Sequence, residues 1–431
     1  MRVALGILLL ATAPAFAVDA VTYKGTLGGL EIVAELAAPA PGGLVGRYSY
    51  MRQGGDIPLD TMGRLRMPVL LAEEAPCTTT TCMADDDGNV PDKPLGAIWS
   101  LAPSADGTGL TGTWEPKDKS KQLAIRLTEI GRRTLPGAAE ISPYGLYDSA
   151  FRMTFGDGGP FTPATAPYEF AKMDVALEEG AIQTMDGSSF RYVTDPRSKF
   201  AFPRIVSLAD GTAPDAANAA LAARHALINY YAFDCLGQIY AGFGANQYAA
   251  GMGAGTLGDY DSETIVVSYL SPTVLNWVES GSTFCMGAHP DNHSNTYMLD
   301  VRTGAPLALA KVFQDWIATG NALDFEAPVD QSAAIGAPQD YVWAAGQPLI
   351  DYAIANRVPG DDSDFDAECG INELIASNLA LRFVPGDAVL FTIEGLPHVN
   401  FACSQDLLTV KLRDIAALLA PTAKAYFPRL P

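Results

Sequence analysis

Leu30-Glu31-Ile32-Val33-Ala34-Glu35-Leu36-Ala37, then Ala38-Pro39-Ala40-Pro41-Gly42-Gly43, then Leu44-Val45-Gly46-Arg47-Tyr48-Ser49-Tyr50 is the stretch that decides how the first third of this chain folds. Leu30, Ile32, Ala34 and Leu36 take every second position, and Tyr48 and Tyr50 resume the period after a turn-forming Pro-Gly-Gly run. A side-chain period of two belongs to strands with one buried face, so the positions between these residues are expected to be more exposed. Leu110, Gly112 and Trp114 repeat the pattern, as do Leu123, Ile125 and Leu127, and Gly54-Gly55-Asp56 and Asp106-Gly107-Thr108 supply turns. Short alternating runs punctuated in this way predict antiparallel strands over residues 18–133, as a meander or small barrel, since closure removes exposed edges.

Upstream, Met1-Arg2, a nearly all-apolar run over 3–12 and Ala15-Phe16-Ala17 have the parts of a secretory signal peptide cut after Ala17. That run is too short for a membrane span, and Arg224 and His225 interrupt the next best stretch, 219–232. The mature chain is therefore expected without a membrane span, in the periplasm or secreted. Its six cysteines, Cys77, Cys82, Cys235, Cys285, Cys369 and Cys403, are an even number in an oxidising compartment, which predicts three disulfides. Order along the chain favours Cys77–Cys82, Cys235–Cys285 and Cys369–Cys403. No C-x2-C spacing points to thiolate-bound metal.

The 431 residues hold 28 Lys and Arg against 49 Asp and Glu, a net charge of −21. Such a surface repels nucleic acid and anionic lipid and attracts basic proteins or cationic peptides; solubility of an exported protein is the plainer use of the same charge. The length suits two or three domains. Residues 134–185 read as a linker or lead-in strands: Gly156-Asp157-Gly158-Gly159-Pro160 and the Pro/Thr/Ala run to Pro167 look like loop, and 170–177 like one strand. Residues 186–431 mix element types. Asp215 is placed to cap a helix burying Leu221, Leu227, Ile228 and Tyr231. Strands are expected over 264–269, 274–278, 297–301, 379–383 and 389–393, and helices over 306–319 and 341–356. A strand-to-helix transition is expected over 409–419. Strands beside strands with helices inserted between groups predict an α+β domain with a mainly antiparallel sheet.

Gly287-Ala288-His289-Pro290, Asp300-Val301-Arg302-Thr303-Gly304 and Leu307 to Phe313 follow one another as a bend, a strand ending in a turn, and a further apolar segment. This segment resembles the carboxy-terminal extracytoplasmic domain of the RsiV family, a domain of unknown function shared with PdaC-like proteins. Phe202-Pro203 and Asn218 match that family's entry into its first helix. Leu381 to Ile393 and Leu412 to Leu419 match its last strands and helix, so the likeness spans roughly residues 190–420. The RsiV domain binds lysozyme outside the membrane. The resemblance implies recognition of a basic protein, a peptide or a wall-derived ligand here. The sequence shows neither the family's sigma-binding segment nor a deacetylase domain, so anti-sigma signalling and deacetylation do not carry over.

The candidate ligand site is Gly287, Ala288, His289, Pro290, Asp291 and Asn292. Two small residues permit a tight bend, and the proline holds His289 extended. His289 and His293 would share a helix face for zinc, but the Pro-Asp-Asn-His-Ser-Asn composition predicts a loop. Asp362, Asp364, Asp366 and Glu373 fill positions one, three, five and twelve of a calcium-loop register, although position six is Ala367 where glycine is needed. Asp85, Asp87 and Asn89 form a weaker cluster. No cofactor is expected, with calcium at the 362–373 register the one ion kept as a candidate. There is no G-x-S-x-G, H-E-x-x-H, Walker or G-x-G-x-x-G signature, and no catalytic residue is assigned. Residues 251–258 are glycine-rich without a basic partner. Two classes remain: a binding protein, and a metal- or carboxylate-dependent hydrolase of envelope polymers, for which sequence spacing supplies no pair.

Overall fold

The computed structural model describes residues 18–431 apart from 39–42, 64–65, 79, 84, 86–89, 91, 136–140, 155–158, 244–256, 258–262, 286–289, 323, 325 and 360–362. The chain divides into two compact units, residues 1–175 with 233–255, and residues 176–232 with 256–431.

The first unit is a closed antiparallel barrel of eight strands: β1 (Asp19–Leu27), β2 (Leu30–Ala37), β3 (Val45–Tyr50), β4 (Ile57–Thr61), β5 (Val69–Glu74), β6 (Leu95–Pro103), β7 (Gly109–Pro116) and β8 (Leu123–Thr134). Each strand pairs with its neighbour in sequence, and β1 closes the ring on β8. Leu27 pairs with Leu30 across Gly28 and Gly29, both at positive φ, the backbone a two-residue hairpin requires. The interior is filled by the alternating set, among them Ile32, Ala34, Leu36, Tyr48, Leu59, Leu71, Trp99, Leu101, Ile125 and Leu127. Near one end Glu73 enters the same interior, and its Oε2 accepts from the Tyr48 hydroxyl (2.9 Å) and from Nε1 of Trp99 (2.7 Å) and Trp114 (2.8 Å). Burial pushes this carboxyl above its ordinary pKa, against the pull of those donors.

The outward positions depart from the alternation argument. Val33, Glu35, Arg47, Ser49 and Arg133 are buried, because residues 134–185 are more than a linker. They carry α1 (Pro143–Thr154) and α2 (Pro167–Met173), which cover this side of the barrel. Beneath them Arg47 donates to Glu35 Oε2 (2.7 Å), to Asp56 Oδ2 (3.0 Å) and to Glu169. Arg133 donates to Glu35 Oε1 (2.6 Å), Ser149 Oγ and the Leu146 carbonyl, and Lys172 and the Tyr168 hydroxyl both reach Asp56 Oδ1. Three cations thus meet three carboxylates away from water. Part of the barrel's setting is supplied by residues 233–243: the Cys77 N–H donates to the Ile239 carbonyl, the Gly242 N–H to Glu74, and Gly54 leaves room for the Phe233 ring.

The second unit is built from small antiparallel sheets and short helices. β9 (Glu178–Glu179) and β10 (Gln183–Met185) pair with β11 (Ser188–Thr194), which pairs with β12 (Ala201–Ser207). The long helix α3 (Asp215–Gly237) follows; its last five residues count with the barrel unit. Leu221 and Ile228 are buried as expected, while Leu227 and Tyr231 are only half-buried. Next come β13 (Thr264–Leu270), β14 (Val274–Thr283) and β15 (Asp291–Asp300) in one sheet, and β16 (Trp316–Asn321) with β17 (Tyr341–Ala345) in another. After α4 (Gln331–Gly336), α5 (Gln347–Asn356), α6 (Ser363–Cys369) and α7 (Ile371–Asn378), the strands β18 (Leu379–Val384), β19 (Ala388–Ile393) and β20 (Asp406–Lys411) complete the fold. One core packs Phe313, Phe383, Phe391 and Ile375 against the last sheet, and another packs α3 on Leu275, Trp277 and Leu299.

Two expected helices are corrected. Residues 306–319 form one 3-10 turn, Leu309–Lys311, before the aromatic and β-branched run Trp316-Ile317-Ala318-Thr319 enters β16. Over 341–356 the first five residues are β17, and the helix starts only after Gly346, with Pro348 in its first turn. Over 409–419 the strand gives way to a 3-10 segment, Leu412–Leu418. All six cysteines are disulfide-bonded, with Cys77 joined to Cys82 and Cys369 to Cys403. Among the described residues no helix is long and apolar enough to cross a membrane; residues 1–17, where a signal peptide was expected, lie outside them.

Candidate functional site

β14 and β15 meet in the cross-strand pairs Leu275–Leu299, Trp277–Tyr297, Glu279–Asn295, Gly281–His293 and Thr283–Asp291, all on the face that α3 covers. Along that face the chemistry changes. The first two pairs are apolar and aromatic and form core with Leu221 and Ile228; the remaining three are polar. Arg224, Ile228 and Tyr231, at the i, i+4, i+7 spacing that shares one helix face, stand over the transition. They enclose with Glu263, Glu279 and His293 a cavity of about 170 Å³.

Arg224 and Glu279 meet in a two-point pair, Nε to Oε1 at 3.0 Å and a terminal nitrogen to Oε2 at 2.6 Å. The same guanidinium donates to the Tyr297 hydroxyl (2.8 Å) and lies over that ring, 4.6 Å from its centroid. Trp277 Nε1 adds a bond to Glu279 Oε1, and its ring stacks on Tyr297. Burial works to lower the Arg224 pKa, but the Glu279 carboxylate outweighs it and holds the arginine above its ordinary value. Burial pushes the Tyr297 hydroxyl up to about 12. Both oxygens of Glu279 are therefore committed.

The second pair is different. His293 Nε2 lies 2.9 Å from Glu263 Oε1, and Nδ1 lies 3.3 Å from the Asp291 carbonyl. The hydrogen bond to Glu263 raises the imidazole pKa against partial burial. The Glu263 side chain is 5% exposed, yet its Oε2 is buried with no hydrogen-bond partner among the described residues. Gly281 makes this placement feasible, since a Cβ there would stand 2.3 Å from that oxygen. Glu263 lines the cavity while its Oε2 lies buried against Gly281; a buried carboxylate oxygen without a donor is costly, so the carboxylate suits a ligand N–H or cationic group that reaches it.

Gly287, Ala288 and His289 lie outside the described residues. Pro290 precedes β15, Asp291 opens the strand and lines the cavity, and Asn292 turns to the other face, where its Oδ1 accepts from Ser282. His293 sits on a strand, so the zinc spacing with His289 is not made on a helix. The calcium register does not form a loop either. Asp362 is outside the described residues, Asp364 and Asp366 are on α6, and Glu373 is on α7. Two residues on a helix are turned about 200° apart, and Asp366 is taken by Arg357 (2.8 Å) and Gln405. Asp87 and Asn89 are outside the described residues. Among those described, no group of three His, Cys, Asp or Glu side chains is arranged to hold a metal.

The resemblance-bearing residues that are described serve the framework. Gly304 has φ +70°, and a Cβ there would lie 2.3 Å from the Ala216 carbonyl at the start of α3. Asn218 bonds both main-chain groups of Ile205, and Phe202 stacks on His225. Burial, with Arg204 beside it, lowers the His225 pKa to about 4. Arg224, Glu263, Glu279 and Tyr297 were not singled out by sequence reasoning. The one available signal was the polar period-two run Asp291, His293, Asn295. The chain matches no protein-family model and no curated protein.

Proposed function

We propose that this is an exported binding protein that recognises a basic protein, peptide or cell-wall-derived ligand, of which a lysozyme-type protein is one candidate, through the cavity between α3 and β13–β15. The observation that carries this reading is the nearly buried Glu263 carboxylate that lines the cavity with one oxygen unpartnered among the described residues, beside a histidine and a fully committed Arg224–Glu279 pair. The net charge of −21 favours encounter with a cationic partner. Disulfide-bonded cysteines and the signal-like leader support the periplasm or the exterior as its location. The RsiV-type resemblance supports a recognition role for the same unit.

The test is binding of immobilised lysozyme, other basic envelope proteins and muropeptides at low and high salt, by wild type and Glu263→Gln. A wild-type signal weakened at least tenfold by the substitution is the expected result. No binding to any of these ligands, or equal binding by both proteins, rejects the reading. A hydrolase remains the second reading, favoured by the Glu263–His293 hydrogen bond at a cavity. Peptidoglycan turnover lost in His293→Ala would select it.

A further inference from the structure

We infer that the partner binds as an added β-strand: an extended segment of a basic protein pairs with the open edge of β15 and places one lysine or arginine in the Glu263–His293 cavity. This rests on the reading of that cavity as a recognition site. β15 is the outermost strand of its sheet. The Val301 N–H donates to the Thr273 carbonyl, so with the strand period the odd-numbered residues of β15 bond to β14 and the even-numbered ones point their main chain outward. At Met298 and Asp300 the outward groups are used, by the Leu307 N–H and the Ala305 carbonyl. At Ser294 and Thr296 no main-chain partner exists among the described residues.

The β15 edge at Thr296 borders a groove of about 530 Å³, whose opposite wall is another outer strand, β18, and the 3-10 segment His398–Cys403 packs beside β15. The Phe383 N–H bonds outward to Asn276 Oδ1 (2.7 Å), so Leu379 and Leu381 also direct their main chain away from β19. Trp316 and Trp343 line the groove as apolar seats for alternate side chains of an incoming strand. Proteins normally blunt an exposed edge with lysine, proline or a bulge. The segment Asn292-His293-Ser294-Asn295-Thr296 has no lysine or proline, and its register with β14 is unbroken. Asn295 and Tyr297 line both the groove and the cavity. A strand laid on β15 would therefore direct alternate side chains to the cavity face beside His293 and Asn295; the Glu263 carboxylate lies one strand further, over Gly281, so the anchor is a fully extended basic side chain that passes His293. Main-chain pairing would give affinity and the basic anchor selectivity, the division of labour of strand addition.

The test uses the full chain and a capped hexapeptide library of alternating Thr and Val with one central Lys, read by fluorescence anisotropy and by amide hydrogen exchange. Binding is expected, with slowed exchange at Ser294 and Thr296. It should weaken at least tenfold when the peptide is N-methylated at alternate residues, and about equally when norleucine replaces Lys. The norleucine effect should vanish in Glu263→Gln. Lysine peptides that bind wild type over Glu263→Gln but ignore N-methylation overturn strand addition and leave the cavity reading standing. Strand addition is likewise overturned, with the cavity reading intact, if muropeptides bind there and the library does not. If no cationic peptide or muropeptide distinguishes the two proteins, both readings fall.

Discussion

The two polar clusters of this molecule hold similar groups and reach opposite ends. Under α1 and α2, on the barrel's outer side, three cations and three carboxylates are sealed together, and one oxygen, Glu169 Oε2, has no hydrogen-bond partner. Between α3 and β13–β15, Glu263 Oε2 is equally unmet. Glu169 is wholly buried in packing beside Arg47, and burial raises its carboxyl above the ordinary pKa. Glu263 lines a cavity, where the proposed ligand would supply the missing donor. The same kind of unmet atom is therefore packing in one unit and, on the proposed reading, part of a ligand site in the other.

Replacing Arg47 by Met should break this comparison most visibly. It leaves Glu35, Asp56 and Glu169 without their shared cation and should cost roughly 3–5 kcal/mol in urea unfolding. The half-buried Arg224→Met should cost much less and show its main effect on ligand binding; equal losses of stability would erase the distinction. Next in size is an acid effect in the second unit. His225 titrates at about 4 in the fold against 6.5 unfolded. Its contribution, on the order of 3 kcal/mol, is fully present above pH 6.5 and lost as pH falls towards 4. His225→Phe, which keeps the stack on Phe202, should flatten that limb of the stability–pH curve. His293 has the opposite sign: its folded pKa is raised, so its contribution is complete below 6.5 and lost as pH rises through the folded value.

Inside the barrel, Glu73→Leu orphans the Tyr48, Trp99 and Trp114 donors and should cost about 2 kcal/mol in thermal unfolding. Smallest of all, Glu263→Gln should alter stability by less than about 1 kcal/mol while weakening binding. A large loss of stability there would reassign Glu263 to the framework.

The barrel was legible because Leu30, Ile32, Ala34 and Leu36 mark one face and glycine-rich turns separate the runs. Period two shows which side faces inward, but it cannot say whether the other side meets water, so the burial of Glu35 and Arg47 waited on α1 and α2. The stretch 306–319 misled because Leu307, Leu309, Val312 and Phe313 have helical spacing, yet four of the six residues of β16 were hidden in its tail. One lining residue of the cavity, Asp291, stood in the expected ligand segment. Arg224 and Glu279 are 55 positions apart, and Glu263 and His293 are 30 apart. Such pairs are created by strand register and helix docking, which no local pattern encodes.

Because residues 233–255 belong to the barrel's unit, a ribosome or export channel delivers that unit in two instalments, with residues 176–232 of the other unit between them. Cys77 waits for Ile239, and Glu74 for Gly242, until all of α3 has emerged. Cutting the gene after codon 175 would thus yield a barrel short of its closing segment. Grafting 233–243 back through a short artificial connector is the more promising way to obtain the barrel alone.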